Sequence, residues 1–264
     1  MSRRNRASIM VIAAMALGLA APARAVVGGT IVPDPPPWLA AIRLPVAEPI
    51  RPSGQFCAGQ LVSAATVVTA AHCVHHFRAA PELLRLTFGR ADLTADVGET
   101  VTATAIRVHP GYADSAFISL EGESNPVHYN DIAMVTIDPP LPERATLALP
   151  EREWTDLYGP GASVLVQGWG QTSIGDPSND RLRRTTVAVT DDSACAAAYG
   201  SFFDPAQMVC AAAPGQDTCN FDSGGPAIIH GVLAGLASWG SGCARPGFPG
   251  VYTRLAAYVP FVRS

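Results

Sequence analysis

Short runs of β-branched and apolar residues, separated by Gly, Pro, Asp and Asn, recur along most of this 264-residue chain. Such runs, with a period near two, are typical of strands in all-β proteins. They occur at 101–108, 163–167, 185–190 and 228–239. The pattern favours an all-β sandwich or barrel. One helix is predicted, at 255–262, where Pro260 limits its length.

Two other segments interrupt the strand pattern. We expect the proline-rich turn at 138–142 to link two similar halves of the chain. Residues 113–129 are polar, contain Gly and Ser, and are long for a connection. We expect this second segment to be a surface loop inserted between strands.

The first 25 residues have the composition of a secretory signal. Arginines at positions 3, 4 and 6 precede an apolar run at 9–21, and 23–25 form a small-x-small cleavage site. A retained signal anchor is the alternative, but the apolar run is shorter than the ~20 residues that span a bilayer. We therefore expect cleavage, a secreted protein in the periplasm or the medium, and no membrane association afterwards.

Charge restricts the partners further. Loss of residues 1–25 would leave 14 basic and 22 acidic residues, a net charge of about −8. Because proteins that bind nucleic acids neutralise phosphates with basic side chains, we expect no nucleic-acid partner. The sequence also has no block of like charge that would indicate a membrane-binding patch.

The cysteines form an even set in an exported chain, which predicts three disulfides. Spacing alone does not choose among their pairings. Metal binding is the competing interpretation, but the sequence has no CxxC pair. His75 and His76, beside His72, lack a nearby Cys or acidic ligand set, so we expect neither a metal nor a cofactor. The six cysteines are Cys57, Cys73, Cys195, Cys210, Cys219 and Cys243.

Three residues could together activate a nucleophile. A serine hydroxyl needs a base to take its proton and a carboxylate to orient that base. Ser223 lies in CNFDSGGP, His72 in TAAHC and Asp131 in YNDIAMV. A lone His or Asp is more often structural, but the order His, Asp, Ser favours catalysis. An α/β-hydrolase would need a GxSxG elbow at Ser223 and a different order, so that alternative is disfavoured.

Several motifs occur together and in order: TAAHC, YNDIAMV, GWG at 168–170, DTCNFDSGGP and SWGSGCARPGFPGVYTR. From Val26 to its end, the chain resembles the trypsin-like branch of the chymotrypsin family of serine proteases. The resemblance implies two packed six-stranded antiparallel β-barrels, at about 26–142 and 143–264, with a short C-terminal helix. It also implies a monomer in which His72 is the general base, Asp131 orients it, and Ser223 is the nucleophile.

The same resemblance implies the disulfide pairing and the specificity. The disulfides would be Cys57–Cys73, Cys195–Cys210 and Cys219–Cys243. Asp217 would form the floor of the primary pocket, where a carboxylate can bind a guanidinium or an ammonium. The implied partners are protein or peptide substrates cleaved after Arg or Lys, and protein inhibitors. The implied substrate-binding residues are Asp217, Thr218, Ser238, Trp239, Gly240 and Gly250.

A third implication concerns activation. The sequence VVGG at 26–29 resembles the N-terminus that members of this family insert against the aspartate before the nucleophile, here Asp222. Signal cleavage after Ala25 would create Val26 as the N-terminus directly. We therefore hypothesise that signal cleavage itself activates the protein, without a propeptide.

Phe221 is a departure from the family, which usually has glycine at this position. The backbone N–H groups of Phe221 and Ser223 would form the oxyanion hole, which stabilises the transition state. If the position needs a positive φ, a bulky residue costs about 1–3 kcal/mol. A second interpretation is steric: the ring narrows the leaving-group side of the site. A catalytically impaired homologue that acts by binding is the alternative function.

Overall fold

The computed structural model describes residues 26–45, 51, 53–118, 122–151, 154–176 and 180–264. The predicted signal peptide lies outside these residues. The strands are β1 (Thr30–Ile31), β2 (Leu39–Arg43), β3 (Gln55–Ser63), β4 (Thr66–Thr69), β5 (Arg85–Phe88), β6 (Glu99–Val108), β7 (Ala113–Ile118), β8 (Ser124–Tyr129), β9 (Ala133–Asp138), β10 (Ser163–Gly168), β11 (Arg183–Val189), β12 (Met208–Ala212), β13 (Pro226–Ile229), β14 (Val232–Trp239) and β15 (Gly250–Arg254).

Helices are few and short. The α-helices are α1 (Ala71–Val74), α2 (Asp192–Tyr199) and α3 (Val259–Arg263). Single 3₁₀ turns lie at His75–Phe77, Pro81–Leu83, Thr155–Tyr158, Gly200–Phe202 and Leu255–Tyr258. Within the described ranges, no helix is long and apolar enough to cross a membrane.

The first barrel closes in the strand order β2-β3-β4-β9-β6-β5, with antiparallel neighbours throughout. Its alternating apolar residues point inward, as the period of two requires. The interior is filled by fully buried side chains that include Ile42, Leu61, Val67, Leu86 and Phe88. These strands frame the loops that carry the first half of the site.

The second barrel is formed by β10-β11-β12-β15-β14-β13, and it closes because β11 pairs with both β10 and β12. The short strand β1 pairs antiparallel with the first two residues of β11. The predicted all-β class, with two six-stranded antiparallel barrels, is thereby confirmed. The predicted C-terminal helix also forms, as a 3₁₀ turn that continues into α3. Pro260 falls in the first turn of α3, where its missing N–H removes no helical hydrogen bond.

Two sequence-based expectations need correction. The run at 228–239 is two strands, β13 and β14, joined by a tight turn in which His230 and Gly231 have φ values of 50° and 80°. Residues 113–129 are not a loop, because β7 and β8 pair as a regular antiparallel hairpin. Val127 is fully buried and anchors this hairpin to the aromatic residues of the second barrel. Phe117 and Tyr129 pack against the same cluster, but most of the other hairpin residues are exposed, so the sequence shows no regular alternation there.

The barrels meet through a shared apolar layer. Val68 and Ile132, on the side of the first barrel, pack with Leu233, Leu236 and Leu255 of the second, and all five are fully buried. The loops that carry the predicted catalytic residues lie along this contact. The boundary predicted near residue 142 falls in the segment between β9 and β10.

Candidate active site

His72 lies in the one-turn helix α1, directly after β4. Its backbone is fixed on one side by the Cys57–Cys73 disulfide. On the other side, its backbone N–H donates to Asp131 Oδ1 at 2.9 Å, and its ring Nδ1 lies 2.8 Å from Asp131 Oδ2. Asp131 therefore holds both the main chain and the ring of His72, and leaves Nε2 as the atom that can accept a proton.

Asp131 is a buried carboxylate, 2% exposed, with strong hydrogen bonds. Besides His72, Ser238 Oγ donates to Asp131 Oδ2 at 2.6 Å. Burial by itself would raise the pKa of Asp131, but the His72 imidazole and its hydrogen bond outweigh this and lower that pKa to about 2. In turn, burial would lower the pKa of His72, while the Asp131 charge and hydrogen bond raise it above the ordinary value. The pair is thus an ionised carboxylate beside a base of enhanced basicity.

Ser223 lies in the tight turn that precedes β13. Its carbonyl accepts a hydrogen bond from Ala58 N at 2.8 Å, which ties the turn to the first barrel. Gly224 has φ 70°, and a Cβ there would collide with Thr69 Oγ1 and the Ala58 carbonyl. Only glycine therefore allows the chain to pass so closely beneath the first barrel.

His72 and Ser223 line the same cleft between the barrels. No hydrogen bond joins their side chains among the described residues. Long or misaligned catalytic hydrogen bonds are common in ligand-free enzymes and shorten when substrate binds. The arrangement therefore places a serine hydroxyl and an imidazole in one cleft, as the predicted roles of these residues require.

Asp217 lines this cleft and is 3% exposed. Its Oδ2 accepts a hydrogen bond from Ala244 N at 2.9 Å, whereas its Oδ1 has no hydrogen-bond partner in the described part of the chain. Burial raises the pKa of Asp217 to about 7. A Cβ at Gly250 would lie 2.6 Å from Asp217 Oδ1, so only glycine fits beside this oxygen. A buried carboxylate with a vacant hydrogen-bonding position is suited to bind a cation.

The other predicted substrate-binding residues are brought to the same place. Trp239, Gly240 and Thr218 line the cleft, and the Thr218 hydroxyl lies 3.1 Å from the Tyr252 hydroxyl. Ser238 lines the cleft as well, but its side chain is engaged by Asp131. The sequence had suggested only a substrate-binding role for Ser238, so this contact is an addition.

Asp222, the predicted activation partner, is fully buried. Its carboxylate accepts hydrogen bonds from Gly170 N at 2.7 Å and Cys219 N at 3.0 Å. Burial raises the pKa of Asp222 to about 7. Val26 is also fully buried, among the apolar residues of the second barrel. A new ammonium on Val26 would therefore be formed inside the second barrel.

Phe221 has φ 74°, so the position that the family usually fills with glycine does use a left-handed backbone here. The Phe221 ring lies beneath the guanidinium of Arg51, with 4.5 Å from Arg51 Cζ to the ring centroid. The Phe221 carbonyl accepts a hydrogen bond from Gln55 Nε2 at 2.9 Å. The sequence offered a conformational and a steric interpretation of Phe221, and the observed φ supports the conformational one.

Sequence reasoning missed three residues of the site. His128 stacks on His72, and Arg51 and Gln55 contact Phe221. His128 belongs to the hairpin that was expected to be a loop. Arg51 and Gln55 lie more than 160 positions from Phe221 in a proline-containing stretch, where no pattern links them to the nucleophile turn.

The structure contains three disulfides, Cys57–Cys73, Cys195–Cys210 and Cys219–Cys243. The last one joins the nucleophile turn to the loop after β14. Cys57, His72 and Cys73 also have the spacing of metal ligands. Because both cysteines are disulfide-bonded, neither can bind a metal as a thiolate.

Comparisons with known proteins agree with this geometry. A family model described as Trypsin matches residues 26–262. A trypsin of Saccharopolyspora erythraea is 39% identical over 212 residues, which cover 79% of this chain and 86% of the relative. The vitellin-degrading protease of Bombyx mori is 38% identical, covering 76% and 72%. Trypsin-1 of Astacus astacus is 33% identical, covering 80% and 88%.

Proposed function

The chain belongs to the trypsin family of serine proteases, and on this premise we propose that it is a secreted endopeptidase that cleaves after Arg or Lys. The observation that carries the specificity is Asp217, a buried carboxylate in the cleft whose Oδ1 has no hydrogen-bond partner among the described residues. A substrate guanidinium or ammonium would satisfy this oxygen and the charge together. Gly240 and Gly250 leave room beside it for a long side chain.

The proposed reaction proceeds through an acyl-enzyme. His72 Nε2 takes the proton of the Ser223 hydroxyl as its oxygen attacks the scissile carbonyl, and then delivers that proton to the leaving amine. Asp131 fixes the tautomer of His72 and stabilises its protonated form. The N–H groups of Phe221 and Ser223 stabilise the oxyanion. Water then attacks the acyl-enzyme carbonyl while His72 takes its proton, and His72 returns this proton to the Ser223 oxygen as the acid product is released.

We further propose that residues 1–25 are a cleaved signal and that 26–264 form the peptidase, with barrels at about 26–142 and 143–264. Cleavage after Ala25 would leave an ammonium on Val26 to pair with Asp222. The buried state of both residues supports this pairing, because a buried carboxylate gains most from a nearby cation. We propose a monomer that acts on protein or peptide substrates and is open to protein inhibitors.

Catalytic impairment is the second candidate function, and the left-handed φ of Phe221 is the observation in its favour. Hydrolysis of matched Arg, Lys, Phe and Ala peptide p-nitroanilides distinguishes the active endopeptidase from the impaired homologue, with Ser223→Ala as the control. Cleavage after Arg and Lys that is lost in Ser223→Ala is the expected result. No turnover by correctly processed, disulfide-bonded protein would favour the impaired homologue instead.

A further inference from the structure

Arg51 is a buried arginine whose position the catalytic chemistry described above does not explain. Only 2% of it is exposed. Its guanidinium lies over the Phe221 ring, and its Nη2 donates to the Trp169 carbonyl at 3.0 Å. Burying a guanidinium is costly unless neighbouring groups stabilise its charge. The face of an aromatic ring attracts a cation, and this attraction is strongest where water is excluded.

Gln55 connects Arg51 to the backbone of Phe221. The Arg51 guanidinium hydrogen-bonds the Gln55 side-chain oxygen. The Gln55 side-chain nitrogen donates in turn to the carbonyls of Phe221, at 2.9 Å, and Cys57, at 3.0 Å. Gln55 is fully buried, so this orientation is fixed. Arg51 and Gln55 therefore hold Phe221 at two points, the ring and the carbonyl.

The same arginine reaches Asp222 through one peptide group. The Trp169 carbonyl accepts from Arg51, and the N–H of the same peptide, on Gly170, donates to Asp222 Oδ1 at 2.7 Å. Hydrogen bonds arranged in series polarise one another. Gln55 thus holds the carbonyl of the peptide that links Phe221 to Asp222, and Gly170 holds the side chain of Asp222.

The contacts of Arg51 and Gln55 can stabilise the unfavourable backbone conformation of Phe221. A non-glycine residue at φ 74° is in a backbone conformation that its side chain disfavours. The direction of the Phe221 N–H, and so its use as an oxyanion donor, depends on that conformation. A buried cation–π contact is similar in size to the cost of such a conformation.

We propose that Arg51, acting with Gln55, is a positioning residue that holds Phe221 in the left-handed conformation in which its N–H can donate to the oxyanion. This rests on the proposed function, since it concerns the same transition state. In a chain with glycine at 221, the ring contact would not exist and the conformation would need no support. Arg51 and Gln55 therefore compensate for the presence of phenylalanine, rather than glycine, at position 221.

The test is a double-mutant cycle on processed protein. Arg51→Met keeps an unbranched apolar side chain and removes the cation. We expect kcat for an Arg ester to fall by about tenfold to a hundredfold, as for a misaligned transition-state donor, with KM changed less than about threefold. In the Phe221→Gly background, the same Arg51→Met change should cost less than about threefold. Phe221→Leu, which removes the ring but keeps a side chain, should lower kcat as Arg51→Met does.

Two inhibitors separate positioning from general damage. A peptide argininal forms a tetrahedral adduct whose oxygen occupies the oxyanion hole, so its affinity should fall in parallel with kcat in Arg51→Met. Benzamidine binds only the primary pocket, so its affinity should stay within about twofold. Arg107→Met is the matched control, because Arg107 also lies 4.5 Å over a phenylalanine ring, that of Phe261, outside the cleft.

Specific outcomes would overturn the inference. An equal loss of kcat on Arg51→Met in the Phe and Gly backgrounds would mean that Arg51 does not act through Phe221, and no loss would mean that it does not act at all. If Arg51→Met fails to fold, full activity of Phe221→Leu would overturn the inference by itself. Failure of the proposed function looks different: processed wild-type protein would neither turn over the ester nor be labelled at Ser223 by a fluorophosphonate.

Discussion

The imidazole of His128 lies flat against that of His72, with ring centroids 4.3 Å apart and planes 11° from parallel. His128 is itself held by a hydrogen bond of 2.8 Å between its Nδ1 and Asp114 Oδ1. Burial and then the charge of His72 lower the pKa of His128, which favours a neutral ring beside the base. His72 is therefore positioned by Asp131 at its edge and by His128 at its face.

His128→Ala should lower kcat/KM by up to about tenfold, because ring stacking contributes roughly 0.5–1.5 kcal/mol. His128→Phe keeps a flat ring in the same place and should recover most of the loss. The comparison is made on an Arg ester, with active-site titration to correct for folded protein. Equal activity of the Ala and Phe variants would contradict a role for stacking.

The acid limb of the pH–rate profile should report His72. The base must be neutral to accept a proton, and Asp131 raises the pKa of His72 above 6.5. Activity should therefore fall as pH decreases through a midpoint above 6.5. An ester with an uncharged side chain at the cleavage site isolates this titration from that of Asp217. A midpoint below 6.5 would show that burial, rather than Asp131, dominates.

Cation binding in the primary pocket should depend on Asp217. Burial raises the pKa of Asp217 to about 7. Below this pH the empty pocket is protonated, so a bound amidinium must displace a proton. Benzamidine affinity, measured by calorimetry, should fall roughly tenfold per pH unit below pH ~7. In Asp217→Asn, binding should be weak and nearly independent of pH; a flat profile in the wild type would refute the assignment.

Retention of Ala25 before Val26 should make stability fall with rising pH. The folded-state pKa of Asp222 is raised to about 7, against an ordinary value of 3.8. Between these values the folded state binds more protons than the unfolded state, so the free energy of unfolding decreases as pH rises. A free Val26 ammonium should reduce this decrease. Urea unfolding of both forms at a series of pH values tests the difference, and identical slopes would argue against the Val26–Asp222 pair.

Much of the fold and the candidate triad could be predicted from the sequence because the informative residues are local. His72, Asp131 and Ser223 each lie in a short motif, and the strand at 99–108 shows its alternation within ten residues. Each of these signals can be read without knowing what lies across the fold.

The remainder depends on contacts between distant parts of the chain. Arg51 reaches Trp169, 118 positions away, and no local pattern shows this. His128 sits in a hairpin whose exposed faces hide the alternation, because Val127 is its fully buried residue. Ser238 lies in an apolar strand where its hydroxyl has no local reason to face Asp131. Such residues are assigned only once the two barrels are seen together.

The division of the site between the two barrels makes catalysis sensitive to a slip that leaves each barrel intact. Ser238 Oγ to Asp131 Oδ2, at 2.6 Å, and Ala58 N to Ser223 O, at 2.8 Å, both cross from one barrel to the other. A shift of one ångström along this contact would break both bonds while costing little of either hydrophobic core. Under mild denaturation, enzymatic activity would then vanish before the spectroscopic signal of the strands, and so report the fit of one barrel to the other.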